Sequence, residues 1–115
     1  MKSEDVVKAL GALAQESRLA MFRLLVKRGP EGFTPTELSE RLAIPAPTLS
    51  FHLRELQHAK LVTSRRESRF LYYSANFEQM HGVLDFLTQN CCSLAGTQCD
   101  STCKPIKTAA KRKQA

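Results

Sequence analysis

The chain has 115 residues, 43% of them hydrophobic, and a formal net charge of +6, which suits one small domain with a modest core. Glu4 and Asp5 stand where a signal peptide needs an apolar stretch, and no run approaches the roughly 18 apolar residues of a membrane span. We therefore expect a cytoplasmic protein without a membrane segment, in which thiols are more often reactive or metal-binding than disulfide-bonded.

The first two predicted elements are helices. Hydrophobic residues at helical spacing predict a first helix over about residues 3–14, and they are Val6, Val7, Leu10 and Leu13. The stretch "ESRLAMFRLLVKRG" predicts a second helix that stops at Gly29. The expected apolar stripe of this second helix consists of Leu19, Phe22, Leu25 and Val26.

A helix-turn-helix is predicted next. Thr34, Pro35 and Glu37 form a capping box with proline at the first helical position, which begins a short third helix through about Leu42. The prolines of "AIPAP" interrupt this helix and are tolerated at a new helix start. A fourth helix then runs over about residues 46–59, with Leu49, Leu53 and Leu56 facing the core and polar residues elsewhere on its surface.

A β-hairpin and a last helix complete the predicted order. In "LVTSRRESRFLYYSA", aliphatic and aromatic residues flank a polar centre, which predicts a hairpin. Asn76 caps a last helix that ends near Asn90. The order α-α-α-α-β-β-α, mainly helical with a β-hairpin wing, is that of a winged helix-turn-helix. We predict a DNA-binding and dimerisation domain at 1–90, a cysteine-rich inducer-binding segment at 91–103 and a basic, disordered tail at 104–115.

The distribution of charge favours a nucleic-acid partner. Residues 104–115 carry five bases and no acid, so the rest of the chain has a net charge of only +1. Within that rest, residues 44–70 have a net charge of +3 and residues 71–103 a net charge of −3. The basic stretch therefore coincides with the predicted fourth helix and hairpin, which is better evidence for DNA binding than the overall charge.

Candidate DNA contacts lie on the fourth helix and on the hairpin. A helix fits the major groove, where its polar face reaches base edges, and hairpin arginines can contact phosphates or the minor groove. Serine and histidine suit hydrogen bonds, and an outward phenylalanine can pack on a thymine methyl. The predicted contacts are Pro47, Thr48, Ser50, Phe51, His52, Arg54, Arg66 and Arg69. The alternatives are a merely solvated helix, a histidine satisfied within its own helix and an ordinary exposed turn.

The stretch "PTLSFHLRELQHAKLVTSRRESRFLYYSAN" resembles the signature of the ArsR/SmtB family of bacterial metal-responsive repressors, over about residues 5–90. The resemblance implies a homodimeric winged helix whose first and last helices form the dimer interface. It also implies repression through double-stranded operator DNA, relieved when an inducer binds. One departure is Ser68, where wings of the family commonly have glycine.

The positions of the cysteines limit where the inducer site can lie in the chain. Family members that sense arsenic or cadmium through the helix before the recognition helix carry cysteines there, and "TPTELSERL" has none. The last helix offers Glu78, His81 and Asp85, a poor match to the family's zinc site. All four cysteines instead lie in the stretch "CCSLAGTQCDSTC", which follows that helix.

Trivalent arsenic suits this cluster. Adjacent Cα atoms lie about 3.8 Å apart, so a disulfide between Cys91 and Cys92 would be strained, whereas two adjacent thiolates can bind one thiophilic ion. Trivalent arsenic prefers three sulfurs, and Cys99 can supply the third through a loop that contains Gly96. The arrangement resembles a subgroup of arsenite-responsive repressors. We predict As(III) as the inducer, bound by Cys91, Cys92 and Cys99, and no organic cofactor.

Several alternatives stay open. Cys103 can substitute for Cys99 or complete a four-cysteine zinc site. The inducer could be arsenite or methylarsenite, or the related antimonite. A repressor of the same fold could sense cadmium, lead, zinc or thiol oxidation. A thiol-dependent arsenate reductase is the rival of another class, but it needs a thiolate in an electropositive pocket, and the residues just before the cysteines are uncharged or acidic. We therefore expect no enzymatic activity. A plain DNA-binding protein with incidental cysteines is the remaining class.

Overall fold

Five α-helices and one two-stranded antiparallel sheet make up residues 1–95, the part of the chain that the computed structural model describes. The elements are α1 (Ser3–Leu13), α2 (Glu16–Arg28), α3 (Pro35–Leu42), α4 (Ala46–His58), β1 (Val62–Glu67), β2 (Phe70–Ala75) and α5 (Phe77–Thr88), followed by a 3₁₀ turn at Ser93–Ala95. The predicted winged helix-turn-helix order is confirmed. None of these helices is long and apolar enough to cross a membrane. The domain boundaries at residues 90 and 103 stay predictions.

The core lies where α2, α3 and α4 meet below the sheet. Leu49, Leu53 and Leu56 are all buried, as predicted for α4. The largest side chains that are fully buried are Met21, Leu25, Leu38, Leu49, Leu56 and Leu61. The predicted stripe of α2 was wrong at Leu19, which is 44% exposed, because the buried stripe of that helix runs through Met21 instead. At 3.6 residues per turn, Leu19 lies nearly half a turn away from Met21.

The helix-turn-helix is held by local backbone chemistry. The Thr34 hydroxyl accepts from the amide of Glu37 at 3.2 Å, and the Glu37 carboxylate accepts from the amide of Thr34 at 2.9 Å, which confirms the capping box. Ala43 ends α3 in the left-handed region with φ 56°. The Ser39 hydroxyl donates to the carbonyl of Ile44 across this turn. The capping box at the start of α3 and the hydrogen bond across the turn therefore fix the direction in which α4 leaves the turn.

The wing is a regular hairpin packed beside α4. Its register pairs Val62 with Ala75 at the base and Glu67 with Phe70 at the tip. The amide of Gln57 in α4 donates to the hydroxyl of Ser64 in β1 at 3.4 Å, which connects the recognition helix to the wing. Ser68, in the turn, has φ 60°, so it adopts the left-handed conformation for which glycine would be the easiest residue.

A bridge to the loop before α3 holds the outer edge of the wing. Phe33 exchanges backbone hydrogen bonds with Tyr73 at 2.9 and 2.8 Å. Gly32 has φ 75°, and a Cβ added there would lie 2.4 Å from the carbonyl oxygen of Tyr73. Because only glycine permits this approach, Gly32 is required for the loop to pair with β2.

The last helix leaves an apolar face uncovered in the single chain. Asn76 caps α5 by accepting from the amide of Gln79 at 3.2 Å, as predicted. Val83 is buried, whereas Leu84 and Leu87 are 53% and 56% exposed. Large apolar side chains of α1 are also exposed, and they are Val7 and Leu10. The first and last helices therefore both present hydrophobic surface to solvent.

Candidate nucleic-acid interface and cysteine site

The exposed face of α4 carries most of the predicted DNA contacts. The core stripe of leucines occupies one side of the helix, and most of the residues between those leucines point outward. The ring of Phe51 is 48% exposed, which is unusual for an aromatic residue. The predicted contacts that lie on this face are Pro47, Thr48, Ser50, Phe51 and Arg54. Their arrangement presents hydroxyls, an aromatic ring and a cation on one surface.

The prediction for His52 was wrong. Its side chain is only 7% exposed, and it lies within the core side of α4 rather than on the outer face. The Nδ1 atom lies 3.2 Å from Nη1 of Arg18. Desolvation by burial, with a smaller effect from the Arg18 guanidinium, lowers the pKa of His52, and Glu55 opposes that change. A neutral, buried imidazole cannot reach a base edge, so His52 is removed from the set of DNA contacts.

The wing presents arginines in two different situations. Arg66 on β1 and Arg69 in the turn are exposed, and within residues 1–95 no side-chain partner is resolved for either of them. Arg65, which the sequence reasoning left out, donates to the Pro30 carbonyl and to Glu67, both at 3.1 Å, and its guanidinium lies 5.0 Å from the centre of the Tyr72 ring. Arg65 therefore braces the wing, while Arg66 and Arg69 can reach outward.

Sequence reasoning also missed an aromatic residue at the tip of the wing. Phe70 is 52% exposed beside Arg69, and its ring lies 6.4 Å from that of Tyr72. Period-2 alternation from the buried Ala75 back along β2 places Phe70 on the outward face, together with Tyr72 and Ser74. This alternation and its position directly after the predicted turn are the signals that could have found Phe70.

The two described cysteines lie just beyond α5. Cys91 and Cys92 are exposed, and their Sγ atoms are 3.6 Å apart. The backbone amide of Cys91 donates to the carbonyl of Thr88 at 3.2 Å. Asn90 and Cys92 have φ of 59° and 64°, so the chain turns sharply on both sides of Cys91.

The predicted third sulfur cannot be placed. Cys99 and Cys103 lie outside the described residues. Across residues 1–95, no three His, Cys, Asp or Glu side chains come together as a metal site. Glu78, His81 and Asp85 on α5 therefore form no such site. Residues 1–95 of this chain therefore place no third side chain of these types beside Cys91 and Cys92.

Comparison with known proteins agrees with this geometry. A family model described as a helix-turn-helix domain matches residues 13–65. The chain is 32% identical over 81 residues to an arsenical resistance operon repressor of Bacillus subtilis (strain 168), covering 70% of this chain and 73% of that protein. It is 28% identical over 107 residues to an arsenical resistance operon repressor of Staphylococcus aureus, covering 93% and 96%.

A solved structure with the same fold spans nearly the whole chain. It is an ArsR-like transcriptional regulator from Rhodococcus sp. RHA1, with a TM-score of 0.71, 20% sequence identity and coverage of 97% of this chain and 93% of that one. At this identity the likeness concerns the fold. Together with the sequence relatives, it matches the winged arrangement of α3, α4 and the hairpin.

Proposed function

Because the chain belongs to the ArsR/SmtB family of winged-helix transcriptional regulators, we propose that it is a homodimeric repressor that binds operator DNA and is released from it by trivalent arsenic. The recognition surface consists of the outer face of α4, with Ser50, Phe51 and Arg54, together with Arg66 and Arg69 of the wing. Side chains of α4 read base edges in the major groove, and the wing arginines contact phosphates.

The exposed apolar faces of α1 and α5 support the dimer. Leu84 and Leu87 of α5 and Val7 and Leu10 of α1 are all more than two-fifths exposed in the single chain. Large exposed apolar side chains on two helices that contact each other support an association site here. Two copies joined through these helices would carry two recognition helices, and a dimer reads two half-sites about one DNA turn, roughly 34 Å, apart.

The observation that carries the inducer assignment is the distance between the sulfurs of Cys91 and Cys92. With metal–sulfur bonds of about 2.3 Å, two sulfurs on one ion lie roughly 3.2–3.8 Å apart for bond angles between about 90° and 110°. The distance of 3.6 Å falls in this range. Cys99 is the proposed third donor. The names of two relatives, arsenical resistance operon repressors, support arsenic over cadmium, lead or zinc.

The location of the pair explains how binding would reach the DNA. Cys91 follows the end of α5 by three residues, and its amide bonds to the last residue of that helix. When Cys91, Cys92 and a third sulfur bind one ion, this helix end would reorder. The helix end belongs to the proposed dimer interface. A changed interface changes the spacing of the two recognition helices, so operator affinity falls. By linkage, operator DNA weakens arsenic binding by the same factor.

A titration of operator-bound protein with several thiol ligands tests the proposal. The probe is a fluorescent duplex that the wild-type protein selects from a random-sequence library, and release is followed by anisotropy. We expect release by arsenite and none by zinc, cadmium or the thiol oxidant diamide. Cys91→Ser, Cys92→Ser and Cys99→Ser should each abolish release but leave DNA binding intact, while Cys103→Ser serves as the matched control.

Each other outcome of this titration points to a specific alternative. Release by cadmium or zinc alone would identify a divalent metal, and not arsenic, as the inducer. Release by diamide alone would favour a sensor of thiol oxidation. Normal arsenite release from Cys91→Ser would remove the pair from the site. Turnover of arsenate by the wild-type protein would support the rival enzyme class, and we expect none.

A further inference from the structure

One guanidinium connects three helices behind the recognition surface. Nε of Arg18 donates to the carbonyl of Ala12 near the end of α1 at 2.7 Å, and Nη1 lies 3.2 Å from Nδ1 of His52 in α4. The amide of Arg18 donates to the side chain of Gln15, which caps α2, at 2.9 Å. Arg18 therefore joins α1, which belongs to the proposed dimer interface, to the helix that faces the DNA.

We propose that Arg18 and His52 are positioning residues for operator recognition: their contact fixes the rotation of α4 relative to α1, and with it the direction in which Ser50, Phe51 and Arg54 point. The inference rests on the proposed DNA-binding role of α4 but is independent of the inducer. His52 adjoins Phe51 directly, and their ring centroids are 5.7 Å apart at an angle of 57°. A rotation that released His52 would therefore also move the exposed ring.

The contact requires a neutral histidine. A guanidinium has only donors, so Nδ1 must accept and the imidazole proton must reside on Nε2. A protonated His52 would lose this acceptor and place a second cation against Arg18. Burial and the Arg18 charge lower the pKa of His52 in agreement with this geometry, while Glu55 opposes them.

The surroundings of the pair include a shallow groove between α1, α2 and α4. It has a volume of about 300 Å³, and its titratable or charged lining groups are Lys8 from α1, Arg18 from α2 and Glu55 and His58 from α4. Of the groups near His52, Arg18 lowers its pKa and Glu55 raises it, and the larger effect of burial lowers it further. The neutral form is therefore the one that the packing of all three helices favours.

The direction of the pH effect follows from the lowered pKa. Protein in which α4 has moved away from Arg18 protonates His52 near the ordinary value of about 6.5, whereas the aligned protein protonates it only at lower pH. The alignment is thus fully available above about pH 6.5 and is lost as pH falls through the lowered pKa of His52. Operator affinity should fall on acidification, against the usual trend that added positive charge strengthens DNA binding.

Two conservative variants separate positioning from mere stability. His52→Asn keeps an acceptor at the place of Nδ1 but cannot become a cation. Arg18→Lys keeps the charge but loses the planar fork that reaches Ala12 and His52 together. Arg23→Lys, at an exposed position of the same helix, is the matched control. Operator affinity is measured without arsenite on the selected duplex from about pH 8 to about pH 5.5, and thermal unfolding is recorded for each protein.

The proposal predicts a specific pattern. At about pH 8, Arg18→Lys weakens operator binding about tenfold, His52→Asn stays within about twofold of wild type, and the double variant is no weaker than Arg18→Lys, because both changes affect one contact. The wild-type affinity divided by that of His52→Asn falls about fivefold by about pH 5.5. All other groups are the same in the two proteins, so their effects cancel in this ratio.

Three results would overturn the proposal that Arg18 and His52 position α4. Arg18→Lys could bind like Arg23→Lys, wild type and His52→Asn could share one pH profile, or the loss of affinity could follow thermal unfolding alone. If the wild-type protein selected no duplex at any pH, the proposed DNA-binding function and this inference would fail together. If it selected a duplex that arsenite does not release, only the inducer assignment would fail.

Discussion

Neighbouring arginines of the wing differ in what they contact, although the sequence places Arg65 and Arg66 side by side. Arg65 is engaged by the Pro30 carbonyl, Glu67 and the Tyr72 ring. Arg66 lies on the opposite face of β1, paired in register with Leu71, and is exposed. Only the second arginine can therefore approach a phosphate without first breaking contacts within the protein.

Arg66→Ala should weaken operator binding and reduce the salt dependence of the affinity by about one unit of the log–log slope, because one phosphate contact is lost. The measurement is anisotropy over a range of salt concentrations. Arg23→Ala, which removes an exposed arginine from α2, should leave the slope unchanged. Equal slopes for the two variants would show that Arg66 does not contact the backbone of the DNA.

Residue types alone could not distinguish the outward positions of α4 from the inward ones. The leucine stripe was predictable from its spacing, and the exposure of Ser50, Phe51 and Arg54 follows from it. His52 lies three residues after Leu49 and four before Leu56, so helical spacing places it beside the same stripe. Its polar type predicted exposure instead, and the partner that it meets, Arg18, is 34 residues away. A polar residue beside a core stripe is exposed unless another element supplies a partner, and such partners come from tertiary packing.

The elements themselves were predictable where their signals are local. The capping box of α3 depends on residues three apart, and the proline interruption before α4 depends on backbone sterics within the turn. Leu19 shows the limit of this approach, since α2 buries Met21 instead. Which of the apolar residues of α2 face the core is decided by the elements packed around this helix.

Thr34→Ala should lower the free energy of unfolding by about 1 kcal/mol, because the amide of Glu37 loses its acceptor and the start of α3 frays. Urea denaturation measures the change. Thr36→Ala, at an exposed position inside the same helix, is the matched control and should be close to neutral. Equal effects of the two substitutions would contradict a stabilising role of the cap.

The whole molecule has apolar surface on its first and last helices that a single copy leaves uncovered. Leu84 and Leu87 lie on α5, shortly before the cysteine pair. The proposed dimer interface and the proposed inducer site are therefore adjacent in the chain. This adjacency could be predicted from the sequence, because both features follow from one helix and its end. The proposed third donor, Cys99, lies outside the described residues.

Leu84→Glu combined with Leu87→Glu should convert the protein into a monomer, because two charges would have to be buried at the interface. Light scattering coupled to size exclusion measures the mass. Leu19→Glu changes a similarly exposed leucine on α2 and should leave the dimer intact. A dimer that survives the double substitution would place the interface elsewhere on the molecule.

The central claim is that arsenite and operator DNA each weaken the binding of the other to the same dimer. Arsenite affinity should therefore be measured by competition with a thiol indicator dye, on free protein and on protein saturated with the selected duplex. Linkage requires that the duplex weaken arsenite binding by the factor by which arsenite weakens operator binding, and a coupling of about 1–3 kcal/mol corresponds to roughly 5–150-fold. The account predicts equal factors in this range. Stoichiometric arsenite binding with the same affinity in both states would contradict it.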